Sequence, residues 1–196
     1  TEGTMHSKPP VLLRAALEGL ESLPVRVIAT TGKHRDPESL GLGRVPTNAR
    51  VERWVPHSEL LPRADVVVTT GGTGTVLATL AAGVPIVVVP MAWDQPENAW
   101  RIADSGAGIR VTARRCTPDA IRRAVERVLH EPSFRENARR LGRGFASYGG
   151  ADQAAALLEQ LAARAPSPSR GVERDVAMVD GLVTAAAGRT PYGARH

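Results

Sequence analysis

Apolar positions along the chain fall into two alternating patterns. Val25-Arg26-Val27-Ile28-Ala29-Thr30-Thr31, Ala64 to Thr69, Pro85 to Val89 and Gly108 to Thr112 are short runs rich in β-branched residues, and Ala49 to Arg53 forms a briefer one. Such runs, bounded by glycine, proline and polar clusters, predict strands. Between them, apolar residues return at helical spacing. Leu13, Ala16, Leu17 and Leu20 follow Pro9-Pro10; Val76 to Ala82 leads to Gly83; and Pro96 to Ser105 makes a third such segment. Ser58 to Leu61 is long enough for a single helical turn, and residues 32–48, polar and rich in glycine and proline, read as a loop. Nearly continuous apolar strands that alternate with helices of about ten residues indicate a parallel sheet covered on both faces. The predicted class is α/β, a doubly wound, Rossmann-like sheet. In such sheets ligands bind beyond the carboxyl ends of the strands.

The second half is helical. Thr117-Pro118 has the form of an N-cap followed by proline at the first helical position. Three apolar stripes follow: Ile121, Ala124, Val125, Val128 and Leu129; then Phe134, Ala138, Leu141 and Phe145; then Ala154, Leu157, Leu158 and Leu161. They predict three amphipathic helices that close the domain. Pro166-Ser167-Pro168-Ser169-Arg170-Gly171 is a linker composition, so residues 1–164 are expected to form one domain and 165–196 a mobile tail. Within that tail Val176 to Ala187 carries at most a weak helical pattern.

Composition narrows the partners. The chain has 196 residues, 42% of them apolar, enough for one large core. Its net charge of +5 comes almost entirely from arginines spread along the helices, the pattern of solvated helix faces. With 4% aromatic residues and no basic-aromatic interleaving, a nucleic-acid surface is not expected. Cys116 is the only cysteine, which points to a reducing, cytoplasmic setting and an inert thiol. No apolar run approaches the roughly 18 residues of a membrane span, and the first residues lack a basic and apolar leader.

The chemistry concentrates at Val66-Val67-Val68-Thr69-Thr70-Gly71-Gly72-Thr73-Gly74-Thr75, where an apolar strand runs into a glycine- and threonine-rich turn and then a helix. Glycines bring backbone close to an anion, the first helical amides lack intrahelical acceptors, and the helix dipole adds partial positive charge. A phosphate fits there. The same residues also read as an ordinary tight turn with a threonine cap. The pattern is neither a Gly-Lys-Ser/Thr loop nor Gly-x-Gly-x-x-Gly.

Taken together, Trp54-Val55-Pro56-His57, Leu60-Leu61, the Gly71-to-Thr75 turn, Gly83-Val84-Pro85 and Asp94-Gln95-x-x-Asn98 resemble the donor-binding signature of GT-B nucleotide-sugar glycosyltransferases. The nearest flavour is the bacterial enzymes that glycosylate antibiotics and other natural products, and the likeness covers about residues 1–163. It implies that Trp54 stacks on the nucleobase, that Thr70, Gly71, Gly72, Thr73, Gly74 and Thr75 hold the diphosphate with help from Thr4, and that Asp94 and Gln95 bind donor-sugar hydroxyls. Read without the resemblance, Asp94-Gln95 before a proline is a helix cap.

Departures from the pattern carry information. Thr70 stands where the family usually has histidine, exchanging a ring donor for a hydroxyl. Ala78 stands where many relatives have a glutamate that grips the ribose, which suits a 2′-deoxyribose donor such as a dTDP-sugar; UDP stays the alternative. His57 replaces a glutamine and keeps one hydrogen-bond donor. The likeness starts at the loop after the family's first central strand, so that strand is expected to be missing. The acceptor domain, with its catalytic histidine, has no match either, so no catalytic residue is assigned in this chain. The implied partners are a nucleotide sugar and, through that other domain, a small-molecule acceptor. The implied chemistry is inverting and needs neither cofactor nor metal; the five histidines are scattered without ligand spacing. Taken alone, the chain is expected to bind nucleotide poorly and to transfer no sugar. Two rivals remain at this point: an epimerase-like enzyme of the same fold, and a non-catalytic nucleotide-binding or partner module.

Overall fold

A computed structural model describes residues 1–2 and 9–164. The chain divides into two compact units, Thr1–Ser147 and a second that begins at Tyr148. The first is an alternating α/β unit with strands β1 (Val27–Thr30), β2 (Ala49–Glu52), β3 (Val67–Thr69), β4 (Ile86–Val88) and β5 (Gly108–Arg110). Its helices are α1 (Val11–Leu20), α2 (His57–Leu60), α3 (Thr73–Ala81), α4 (Gln95–Asp104), α5 (Pro118–His130) and α6 (Pro132–Ala146). Every strand pairing is parallel.

The pattern of burial explains this layering. All three residues of β4 are fully buried, because β3 and β5 flank it and helices cover both faces. Alternate side chains go to opposite sides: Val87 and Val89 pack with Leu12, Ile121, Val125 and Phe134, whereas Ile86 and Val88 pack with Val76, Leu80, Ala99, Ile102 and Ala138. Helix α1 lies on α5 so closely that a Cβ at Gly19 would collide with the Pro118 carbonyl. Helix α5 starts as expected, with the Thr117 hydroxyl oxygen accepting from the Ala120 amide at 3.3 Å.

Two expectations about the strands need correction. The strands form two sheets, β1-β2 and β3-β4-β5, rather than one. Between β1 and β3 lies a cleft of about 630 Å³ whose walls include Leu12, Val27, Ala29, Val66 and Val68. No strand fills it among the described residues. Strand β3 is also shorter than its apolar run: residues 61–63 make a 3₁₀ turn, and ladder pairing begins only at Val67, opposite Ile86.

The helical half is less fully buried than its stripes suggest. Leu129 is exposed, at the edge of the α5 stripe, while Leu141 and Phe145 are half-buried against the Ile86–Val88 side of the core. In the second unit, helix α7 (Gly150–Arg164) exposes the whole stripe that was expected to close the domain: Leu157, Leu158 and Leu161 are each more than half exposed. Thr4 and the tail from residue 165 onward lie outside the described residues.

Candidate functional site

Strand β3 ends at Thr69 and delivers the chain to α3 through two glycines with different duties. Gly71 has φ +93°, a conformation L side chains rarely adopt, and a Cβ there would lie 2.6 Å from the Val88 side chain. Only glycine fits. Gly72 and Gly74, by contrast, face open space among the described residues: a Cβ at either would meet none of their atoms within 4 Å. The first helical bond runs from the Val76 amide to the Gly72 carbonyl, so the amides of Thr73, Gly74 and Thr75 have no acceptor within the helix. An unfilled surface beside unsatisfied donors at the carboxyl end of a strand is what an oxyanion requires.

One of those donors already has a carboxylate. Asp94, in the loop after β4, accepts from the Thr73 hydroxyl at 2.5 Å and from the Thr73 amide at 3.3 Å. The Thr73 hydroxyl is the main reason its pKa lies below the ordinary carboxyl value, with the Thr73 amide and Asn98 adding to it. Asn98 Nδ2 is 3.1 Å from the same carboxylate oxygen, 3.0 Å from the Thr73 hydroxyl and 2.9 Å from the Gly71 carbonyl. The sequence pattern included Asn98 without giving it a role. Its signal was positional: four residues after Asp94, it shares that residue's side of α4.

Gln95 serves its own loop. Its side chain is buried, and Oε1 accepts from the amides of Met91 at 2.8 Å and Ala92 at 3.1 Å. This leaves its amide NH₂ group as the part that can still reach a ligand. At the tip of the same loop Trp93 is exposed with φ +54°, the one non-glycine residue with positive φ among those described.

The other expected residues are placed variously. Thr70 is buried and its hydroxyl donates to the Glu2 carbonyl at 3.3 Å, so in this structure it points into the protein. Trp54, beyond the end of β2, is about half exposed, with the Lys33 ammonium 4.4 Å from its ring centroid. His57 begins α2 and shares the wall of the β1–β3 cleft with Thr75. The geometry therefore joins Gly71 to Thr75 with Asp94 in one cluster, while Trp54 is held in a separate contact with Lys33.

A second carboxylate, absent from the sequence reading, closes the neighbouring helix. Glu2 is buried; one of its oxygens accepts from the Leu12 and Leu13 amides at the start of α1 at 2.9 and 3.3 Å, and the other pairs with Arg35 at 3.4 Å. Burial, with Glu2 as the second cause, pushes the Cys116 thiol above its ordinary pKa and keeps it protonated at neutral pH. Among the described residues there is no cluster of three potential metal ligands, and no helix is long and apolar enough to cross a membrane.

Comparison with known proteins decides the family. Residues 15–161 match the model of the erythromycin biosynthesis protein CIII-like, C-terminal domain. The chain belongs to this family of GT-B glycosyltransferase C-terminal domains. Among its relatives, 4′-demethylrebeccamycin synthase of Lentzea aerocolonigenes is 42% identical over 161 residues, 82% of this chain and 37% of that protein. Among solved structures, the calicheamicin glycosyltransferase CalG4 superposes with a TM-score of 0.76 at 33% identity, over 85% of this chain and 42% of that one. The glycosyltransferase VinC in complex with dTDP gives a TM-score of 0.72 at 26% identity, over 82% and 43%. This GT-B domain thus spans well under half the length of the enzymes it matches.

Proposed function

We propose that this domain is the donor-binding half of an inverting glycosyltransferase that transfers a sugar from a nucleoside diphosphate, dTDP or UDP, to a hydroxyl of a small natural product. The observation that carries the reading is the open surface over Gly72 and Gly74, beside the Gly74 and Thr75 amides and next to the loop of Asp94 and Gln95. A diphosphate seated there receives backbone hydrogen bonds and the helix dipole, and a sugar attached to it meets the Pro90-to-Gln95 loop. The dTDP bound to the related VinC supports a thymidine nucleotide, as does Ala78, which offers no carboxylate to a ribose 2′-hydroxyl.

In the reaction so assigned, the acceptor oxygen forms a bond to the anomeric carbon as the bond from that carbon to the diphosphate oxygen breaks. The electron pair leaves with the diphosphate, and amides already oriented toward it stabilise the charge it gains without reorganising. The acceptor proton goes to a base on the acceptor-side domain. This chain supplies binding and leaving-group stabilisation, with no metal assigned, and by itself transfers no sugar. Trp54 stacks on the base, exchanging its contact with Lys33 for one with a flat ring.

Nuclear magnetic resonance titration of the chain with dTDP and with UDP tests the site even when binding is weak. The Gly74 and Thr75 amide resonances should move in a saturable way, and further with dTDP than with UDP. Saturable shifts confined to another surface, or no shifts at millimolar ligand, would refute the placement.

A further inference from the structure

We infer that Lys33 is a nucleobase ligand of the donor site: the ammonium that lies on the Trp54 ring in this structure passes to a carbonyl oxygen of the base when the base takes its place. This inference rests on the donor-site reading above.

The placement of Lys33 follows from the ends of two strands. Beyond the last residues of β1 and β2 the two segments stay bonded, the Thr31 amide donating to the Glu52 carbonyl at 3.0 Å and the Gly32 amide to the Arg53 carbonyl at 2.8 Å. Lys33 and Trp54 are the residues that follow this last bonded pair. Gly32, with φ +99°, turns the chain, and the Arg35 amide closes the turn by donating to the Gly32 carbonyl at 3.0 Å. The hydroxyl of the buried Thr31 donates to the Arg35 carbonyl at 2.6 Å, and an ion pair between Asp36 and Arg53 ties the far side of the turn to the Trp54 segment. The backbone of Lys33 is thereby fixed beside Trp54, and its side chain is left to move.

The charges around this turn single out the same residue. Arg35 pairs with the buried carboxylate of Glu2, and Arg53 with Asp36. Lys33 enters no ion pair among the described residues; its ammonium lies 4.4 Å from the centroid of the Trp54 ring. A cation on a half-exposed aromatic face is held weakly, so a flat base that stacks on that face displaces it. Since the turn is clipped in place, the displaced ammonium stays at the end of its four-carbon stem, beside the base it has admitted.

Chemistry decides what it meets there. The diphosphate belongs to the Gly71-to-Thr75 turn, so the part of the nucleotide that comes to Lys33 is the base. An ammonium has three donors and no acceptor, and its partner must therefore be an acceptor. Thymine and uracil each carry two ring carbonyls, and a hydrogen bond from a cation to such an oxygen is stronger than the ring contact it replaces. Lys33 thus adds to the affinity for a keto-bearing base rather than competing with it for Trp54.

The test compares Lys33→Met with the unaltered chain. Methionine keeps an unbranched apolar stem against the ring and removes the charge, and circular dichroism checks that the fold is retained. Affinity for dTDP is read from the Gly74 and Thr75 amide shifts at 50 mM and at 500 mM sodium chloride. Lys33→Met should bind dTDP about tenfold more weakly at both salt concentrations, because a direct bond to a neutral carbonyl is little screened. If the variant binds dTDP as well as the unaltered chain or better, Lys33 only covers Trp54, and the inference is overturned while the donor site stands. If the difference disappears at the higher salt, the ammonium acts at a distance on the phosphates and the inference is again overturned. If those amides respond to dTDP in neither protein, the donor-site reading fails and this inference fails with it.

Discussion

Helices α1 and α3 each have a carboxylate at the first turn, yet the two arrangements serve opposite ends. Glu2 at α1 is 2% exposed, receives two backbone amides and pairs with Arg35. Asp94 at α3 is exposed, receives the amide and hydroxyl of Thr73 and the side-chain amide of Asn98, and pairs with no cation among the described residues. The dipole of each helix attracts an anion equally well; burial and a counter-charge decide whether that anion can be exchanged. One terminus is thereby sealed as structure. The other is closed by an exposed carboxylate alone.

Glu2→Ala is the strongest way to break the comparison. It takes the carboxylate partner from Arg35 and leaves two buried amides unmet, and should cost about 3 kcal/mol in chemical denaturation. Asp94→Asn should shift the denaturation midpoint far less; equal effects would erase the distinction between a sealed and an exposed terminus. Gly71→Ala should cost about 2 kcal/mol, because the residue needs φ +93° and its Cβ would press on Val88. That loss, followed by thermal melting, would show how much of the α3 terminus depends on the turn before it.

Smaller effects concern the ligand and the proton. Trp54→Ala should lower dTDP affinity about tenfold with little change in stability, since the ring is about half exposed; isothermal calorimetry gives both the affinity and its enthalpy. The smallest is a pH effect. Because the folded-state pKa of Asp94 is depressed, its contribution to stability is complete above the ordinary value near 3.8 and disappears as pH falls through the lower folded value. Thr73→Val removes the main cause and should move the Asp94 titration, followed by carboxyl carbon resonances, back toward the ordinary value. An unmoved titration would mean that Thr73 is not what holds the carboxylate.

Much of the unit from Thr1 to Ser147 was readable from the sequence because its signals are local. Proline at the start of α5, glycine after α3 and unbroken β-branched runs each act over a few residues, and the observed helices begin and end within about two residues of those cues. The apolar stripe of α7 shows where this kind of reading stops. Leu157, Leu158 and Leu161 have the period of a buried face, and yet the face is exposed. Periodicity reports which residues share a side of a helix, and says nothing of whether a partner covers it. The same limit applies to Leu129, at the margin of its stripe, and to the division of the strands between two sheets.

The site was legible in the same proportion. Its glycine turn, its threonines and the Asp94-Gln95 pair stood out because each needs a particular residue type. Contacts between distant segments did not: Asp94 on Thr73, Asn98 on Gly71, and Glu2 on the start of α1 span from 10 to 27 positions along the chain. What the chain's own order of residues determined was the succession of strands, turns and helices and the location of an anion-ready turn, since backbone conformation answers to neighbours a few residues away. Which of two helix ends is stopped by a buried ion pair and which is closed by an exposed carboxylate was decided by tertiary structure, because solvent exclusion and counter-charge come into being only when remote segments meet.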